Sequence, residues 1–146
     1  MGLNDTVRAV LDHKGFGVCA VAPETPVYEA LELMADRDIG ALLVMMEAEL
    51  QGVFSERDYA RKVILKGKTS KETPVREIMS TEVVCVAPER TVEECMGLMT
   101  DKRIRHLPVL ESDRVVGVIS IGDVVKAIIA EHEFTIEQLQ SYITRG

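Results

Sequence analysis

The chain repeats itself. Residues 18–65 align onto residues 83–130 at a constant shift of 65 (83 − 18 = 65) with no gap. Matched identities include Pro23/Pro88, Met34/Met99, Gly52/Gly117, Ser55/Ser120 and Asp58/Asp123. A gapless internal repeat of this length dictates two copies of one structural unit. Upstream, the shift becomes 68, because Val7 pairs with Val75 (75 − 7 = 68), so the first copy carries three extra residues (68 − 65 = 3) around positions 13–17. Each copy is too small to bury a core well by itself. The two are therefore expected to pack face to face about a pseudo-two-fold axis.

Hydrophobic spacing predicts the elements of each copy. Val7, Val10 and Leu11 predict a short helix, broken at residues 14–17. Residues 18–22 read as a strand ended by Pro23. Thr25-Pro26 is a helix-start signal, followed by Val27, Ala30, Leu31 and Met34 at helical spacing. Residues 41–46 and 50–54 read as strands around a polar turn at 47–49. A helix after Ser55 is expected to carry Tyr59, Val63 and Ile64 on one face. Residues 66–74 are the most linker-like stretch. The order then recurs. Val75, Ile78 and Met79 make a short helix, and residues 83–87 a strand ended by Pro88. Thr91 and Glu94 form a capping box before Val92, Cys95, Met96 and Met99. Strands at 107–110 and 114–119 flank a turn, and a helix covers 123–131. Residues 135–144, with Ile136, Leu139 and Ile143, predict a separate last helix. The reading is α/β (α+β): repeat 1 at 6–70, repeat 2 at 71–134, and a C-terminal helix at 135–146.

The stretch that carries chemistry occurs twice. It reads G-V-F-S-E-R-D at 52–58 and G-V-I-S-I-G-D at 117–123, each time closing a strand and opening a helix. Ser55 and Ser120 sit where an N-cap belongs, with Asp58 and Asp123 three residues on. A plain capping box explains this pattern and is worth about 1 kcal/mol per helix. A ligand site explains it too. The N–H groups of a helix start attract anions, and an ionised Asp can accept from both hydroxyls of a ribose. Gly52 and Gly117 stand where a close-packed ligand would need a missing side chain. Arg105 and His106, just before the 107–110 strand, supply counter-charge for a phosphate. Gly40 and Ala41 occupy those positions in the first copy, so the two copies are unequal. Arg103 reads as a solvated loop residue, and Arg57 and Arg61 as helix-surface ion-pair partners. His13 and His132 read as surface residues. Met34, Met96 and Met99 fall on core stripes.

Other classes are disfavoured. The net charge of −7 argues against nucleic-acid or anionic-membrane binding. No apolar run approaches the ~18 residues of a membrane span, and the N-terminus lacks signal-peptide regions. Met1-Gly2 with Thr6 fits the short myristoylation pattern, but no basic cluster follows. Cys19, Cys85 and Cys95 are odd in number and lack metal-ligand spacing, which favours reduced thiols and a cytoplasmic setting. Cys85 and Cys95 read as small core residues. No catalytic constellation or metal spacing stands out, so no enzyme is expected.

The β-α-β-β-α order, the paired G-h-h-S-x-x-D loops and the R-I-R-H-L-P-V stretch at 103–109 together resemble the CBS domain, named after cystathionine beta-synthase. Two in tandem look like a Bateman module, and the resemblance spans about residues 6–131. It implies a non-catalytic regulatory module, with no required cofactor, that binds AMP, ADP, ATP, NAD or S-adenosylmethionine in clefts between the repeats. By that resemblance Asp58 and Asp123 hold ribose, Ser55 and Ser120 lie near phosphate, and Arg105 and His106 meet phosphate. The adenine would lie against Val18, Ala20 and Ala22 or against Val83, Cys85 and Ala87. A homodimer acting on an unknown target protein is implied. An interaction scaffold with degenerate pockets, or a small redox or nucleotide-hydrolysing enzyme using Cys19 or Cys85, is the alternative.

Overall fold

A computed structural model describes residues 2–15 and 17–145. Met1, Phe16 and Gly146 lie outside the described residues. Parts of the myristoylation pattern, the break at 14–17 and the last residue of the 135–146 segment fall on them.

The elements are α1 (Val7–Lys14), β1 (Ala20–Val21), α2 (Val27–Arg37), β2 (Ala41–Met46), β3 (Glu49–Ser55), α3 (Glu56–Tyr59), α4 (Val92–Lys102), β4 (His106–Glu111), β5 (Arg114–Ser120) and α5 (Ile121–Arg145). A single π-helical turn, Ala60–Ile64, continues α3, and a 3₁₀ turn covers Val75–Glu77. This is the mixed α/β class expected.

The chain falls into two compact units that cut across the sequence repeats. One draws on Met1–Phe16, Cys85–Leu110 and Gly117–Gly146, the other on Gly17–Val84 and Glu111–Val116. The leading helix of each repeat therefore belongs with the other repeat's strands. In the first unit, the N–H groups of Val7 and Arg8 donate to the carbonyls of Arg90 and Pro88, at 2.7 and 2.9 Å. In the second, Val75 and Arg76 donate to Thr25 and Pro23, at 2.8 and 2.9 Å. These are corresponding residues of the two repeats. Both docked segments use the loop before a long helix to satisfy backbone donors that a helix start leaves unpaired.

In the second unit, β1 runs parallel to β2 and β2 antiparallel to β3. Val27, Ala30, Met34, Leu42, Val44, Phe54, Val63, Val75 and Ile78 form its core. In the other unit, Val7, Val10, Leu11, Val92, Cys95, Met99, Leu107 and Ile119 are buried. The predicted strand at 83–87 shrinks to one parallel bridge, Val86↔Val109. Its counterpart Val21↔Val44 is flanked by a bond from Leu43 N–H to the Cys19 carbonyl. Pro108 stands where Leu43 does and has no N–H to give.

Three other expectations change. The predicted helices at 123–131 and 135–144 are one 25-residue helix, α5. Nothing between them breaks a helix, and the Thr135 hydroxyl donates back to the Glu131 carbonyl at 3.0 Å instead of capping a new start. Ile64 is exposed while Val63 is buried, so the helix after Ser55 does not keep both inward. Pro26 takes the N-cap position of α2 with no side-chain cap. Thr73 O accepts from Val27 N–H there at 2.9 Å.

Candidate functional site

Both Ser–Asp pairs close the capping box that their spacing predicts. At the start of α3, Ser55 N–H and Oγ donate to Asp58 Oδ2 at 3.0 and 3.1 Å, and Asp58 N–H donates to Ser55 Oγ at 3.2 Å. At the start of α5, the corresponding distances for Ser120 and Asp123 are 2.8, 3.1 and 3.3 Å. Each helix start is also tied to the residue before its hairpin: Glu56 N–H donates to Gly40 O at 3.1 Å, and Ile121 N–H to Arg105 O at 2.9 Å. The second bond sets the Arg105 backbone at the α5 N-terminus, where the first copy has glycine.

The two aspartates differ in what else they hold. Asp58 uses both oxygens. Its Oδ1 accepts from Lys62 Nζ at 3.2 Å and Ser80 Oγ at 3.4 Å. Lys62 also donates to Ile78 O at 3.1 Å, and Ser80 exchanges both backbone bonds with Val53. Asp58 thus ties the segment after the 3₁₀ turn to the strands, and it is buried. Asp123 crowds its partners onto one oxygen. Oδ2 takes Ser120 and also Lys14 Nζ, at 2.7 Å. Oδ1 has no partner among the described residues. The Asp123 side chain is 12% exposed and that of Asp58 11%, so the two carboxylates differ in their partners and not in their exposure.

Burial pushes the Asp123 carboxyl up, and the bonds from Lys14 and Ser120 outweigh it, so its pKa lies below the ordinary carboxylate value. Burial first, then the charges of Lys14 and Arg105, hold His106 below its ordinary value of 6.5, with Asp123 opposing. Lys14, Arg105, His106, Ser120 and Asp123 thus share one unit and one electrostatic neighbourhood. Arg105 is exposed and His106 half-buried.

Gly52 and Gly117 serve packing and not ligand approach, which corrects the reading from sequence. A Cβ on Gly117 would stand 2.7 Å from Leu11 Cδ2. A Cβ on Gly52 would stand 2.7 Å from Ser80 O and 2.9 Å from Met79 Sδ. Along the short first strands, Ala20, Ala22 and Ala87 are exposed, while Val18, Val83 and Cys85 are half-buried. Cys95 is buried and its thiol is pushed up to about 11, first by burial and then by Glu94. Burial also raises Cys85. No cluster of three metal-ligating side chains occurs among the described residues.

Sequence reading missed Lys14, Lys62 and Ser80. Lys62 had a signal, four residues after Asp58 on a helix. Lys14 had none, being 109 positions from Asp123.

The CBS domain family profile matches residues 17–65 and 75–130. The chain belongs to the CBS-domain family. It is 44% identical over 125 residues to the mitochondrial CBS domain-containing protein CBSX3 of Arabidopsis thaliana, covering 82% of this chain and 61% of that protein. The chain therefore spans about three fifths of that relative's length. A putative signal-transduction protein with CBS domains from Burkholderia ambifaria superposes with a TM-score of 0.83 at 46% identity, over 86% of this chain and 95% of that one. The CBS pair of protein MJ0100, solved with 5′-methylthioadenosine and S-adenosyl-L-methionine, shares the fold at a TM-score of 0.74 and 22% identity, over 84% and 94% of the two chains.

Proposed function

We propose that this CBS-domain chain is a non-catalytic regulatory module that senses an adenine nucleotide or related adenosyl ligand at the start of α5 and signals to a target protein. The observation that carries the reading is Asp123, whose Oδ1 has no partner among the described residues, at a helix N-terminus in the unit that also holds Arg105 and His106. A carboxylate there accepts ribose hydroxyls, and the helix start and two bases receive phosphate. Cys85 and Ala87 offer a small-residue surface for the adenine ring in the same unit. Asp58 and Ser55, with both Asp58 oxygens engaged, are the weaker ribose site. The Val18, Ala20 and Ala22 face would serve that one.

The enzymatic alternative has less support. A nucleophilic thiol needs a lowered pKa, and burial raises Cys85. We propose a reducing, cytoplasmic setting, on the odd number of cysteines (Cys19, Cys85 and Cys95) and their lack of metal-ligand spacing. No helix among the described residues is long and apolar enough to cross a membrane.

A thermal-shift panel with AMP, ADP, ATP, NAD and S-adenosylmethionine tests the reading. A ligand at one hundred times its dissociation constant adds about 2.7 kcal/mol. No shift with any of them at millimolar concentration would leave the interaction scaffold as the better reading. Turnover of a nucleotide, lost in Cys19→Ser or Cys85→Ser, would favour the enzyme.

A further inference from the structure

Lys14 and Lys62 both pair with a motif aspartate, but they are not equivalents. Lys14 falls in the stretch that holds the three extra residues of the first copy and has no defined counterpart in the second, and at the shift of 65 the counterpart of Lys62 is Ala127 (62 + 65 = 127). Lys62 has two acceptors, Asp58 Oδ1 and the Ile78 carbonyl. It is a staple within its unit. Lys14 has one acceptor among the described residues, Asp123 Oδ2, which Ser120 already serves twice. Removing Lys14 from that oxygen leaves Asp123 still capped. Its side chain is 35% exposed at the end of α1, on a flexible stem that can swing.

The charge balance gives the direction of that swing. Lys14, 2.7 Å from Asp123, and Arg105, whose carbonyl accepts from the first N–H of α5, carry two positive charges against one negative on Asp123, and all three act on His106. That excess of positive charge favours an anion. A ribose that uses both carboxylate oxygens competes with Lys14 for Oδ2. A phosphate gives the displaced ammonium a new partner, whereas a bare nucleoside does not, and the sulfonium of S-adenosylmethionine is repelled.

We propose that Lys14 is a latch on the Asp123 site: it holds Asp123 while the site is empty, yields Oδ2 to a ribose hydroxyl, and moves to the ligand's phosphate. The ligand class is then a nucleoside phosphate. The latch rests on the reading of this site as an adenosyl site.

Calorimetry on the intact chain tests it, with AMP and adenosine against wild type, Lys14→Met and Lys14→Arg. Lys14→Met should weaken AMP about tenfold or more. Adenosine should bind as well as before or a few-fold tighter, because its competitor for Oδ2 is gone. Lys14→Arg should retain the preference for AMP. Melting curves of the ligand-free variants show whether each is folded, and Lys14→Arg keeps the test open should Lys14→Met unfold. Equal weakening of both ligands, or unchanged AMP binding in Lys14→Met, would overturn the latch and leave the adenosyl reading standing. Failure of the wild type to bind either ligand would overturn both.

Discussion

Leu11 fills the space that a side chain at Gly117 would need: its Cδ2 lies 2.7 Å from the position of a Cβ there. Leu11 is fully buried, so the contact fastens α1 to β5. Met79 and the Ser80 carbonyl do the same at Gly52. The glycine of each motif is thus the seat of a docked segment.

Gly117→Ala and Gly52→Ala should each destabilise the fold by about 1–3 kcal/mol, the cost of overpacking a filled core. Gly52→Ala should cost more. Its Cβ meets a backbone oxygen that pairs with Val53, whereas Leu11 can shift a methyl group. Urea denaturation of the two variants checks the order.

Asp58→Ala and Asp123→Ala should have opposite profiles. Losing Asp58 strands Lys62 and Ser80 and should cost about 1.5–3 kcal/mol of stability, at the lower end because Lys62 is partly exposed. Losing Asp123 should cost less stability and more ligand affinity. Denaturation beside AMP calorimetry reads both. Equal loss of AMP binding in the two variants would mean that both motifs carry a ribose.

His106 makes stability depend on pH. Its folded pKa lies below the ordinary value of 6.5, chiefly through burial and then through Lys14 and Arg105. The unfolded chain therefore takes up a proton at higher pH than the folded one. The stability this contributes is present above the unfolded value and is lost as pH falls through about 6.5 toward the folded pKa. His106→Gln should flatten that part of a stability profile measured by urea denaturation across this window. A bound phosphate would reverse the field and raise the folded pKa, so nucleotide binding should take up protons. Calorimetry in buffers of different ionisation enthalpy measures the uptake.

The outer face of α5 carries Val125, Ile129, Ile136, Leu139 and Ile143, all exposed. An apolar stripe of this length on one helix calls for a partner. We expect a homodimer through it. Ile136→Glu with Leu139→Glu should turn that dimer into a monomer in sedimentation at tens of micromolar. A wild-type monomer under those conditions, with and without nucleotide, would remove this expectation.

The repeat, the order of helices and strands, and both Ser–Asp capping boxes were legible in the residues themselves. Each rests on interactions within three or four positions, or on a hydrophobic period that one segment carries alone. Arg105 and His106 against Gly40 and Ala41 were legible too, as an inequality between aligned positions. What only the tertiary structure decided was which segment docks where. The exchange of leading helices makes Leu11 the neighbour of Gly117 and sets Lys14 on Asp123, although 109 positions separate that last pair. The same docking ties up Asp58 with Ser80 and leaves Asp123 Oδ1 without a partner among the described residues. Pro108 ends the second short strand only because it falls opposite a strand that needs its N–H. Two copies of one motif thus become a staple and a candidate site, because a local pattern specifies the cap, while the partners of the second carboxylate oxygen come from whichever distant segment packs against it.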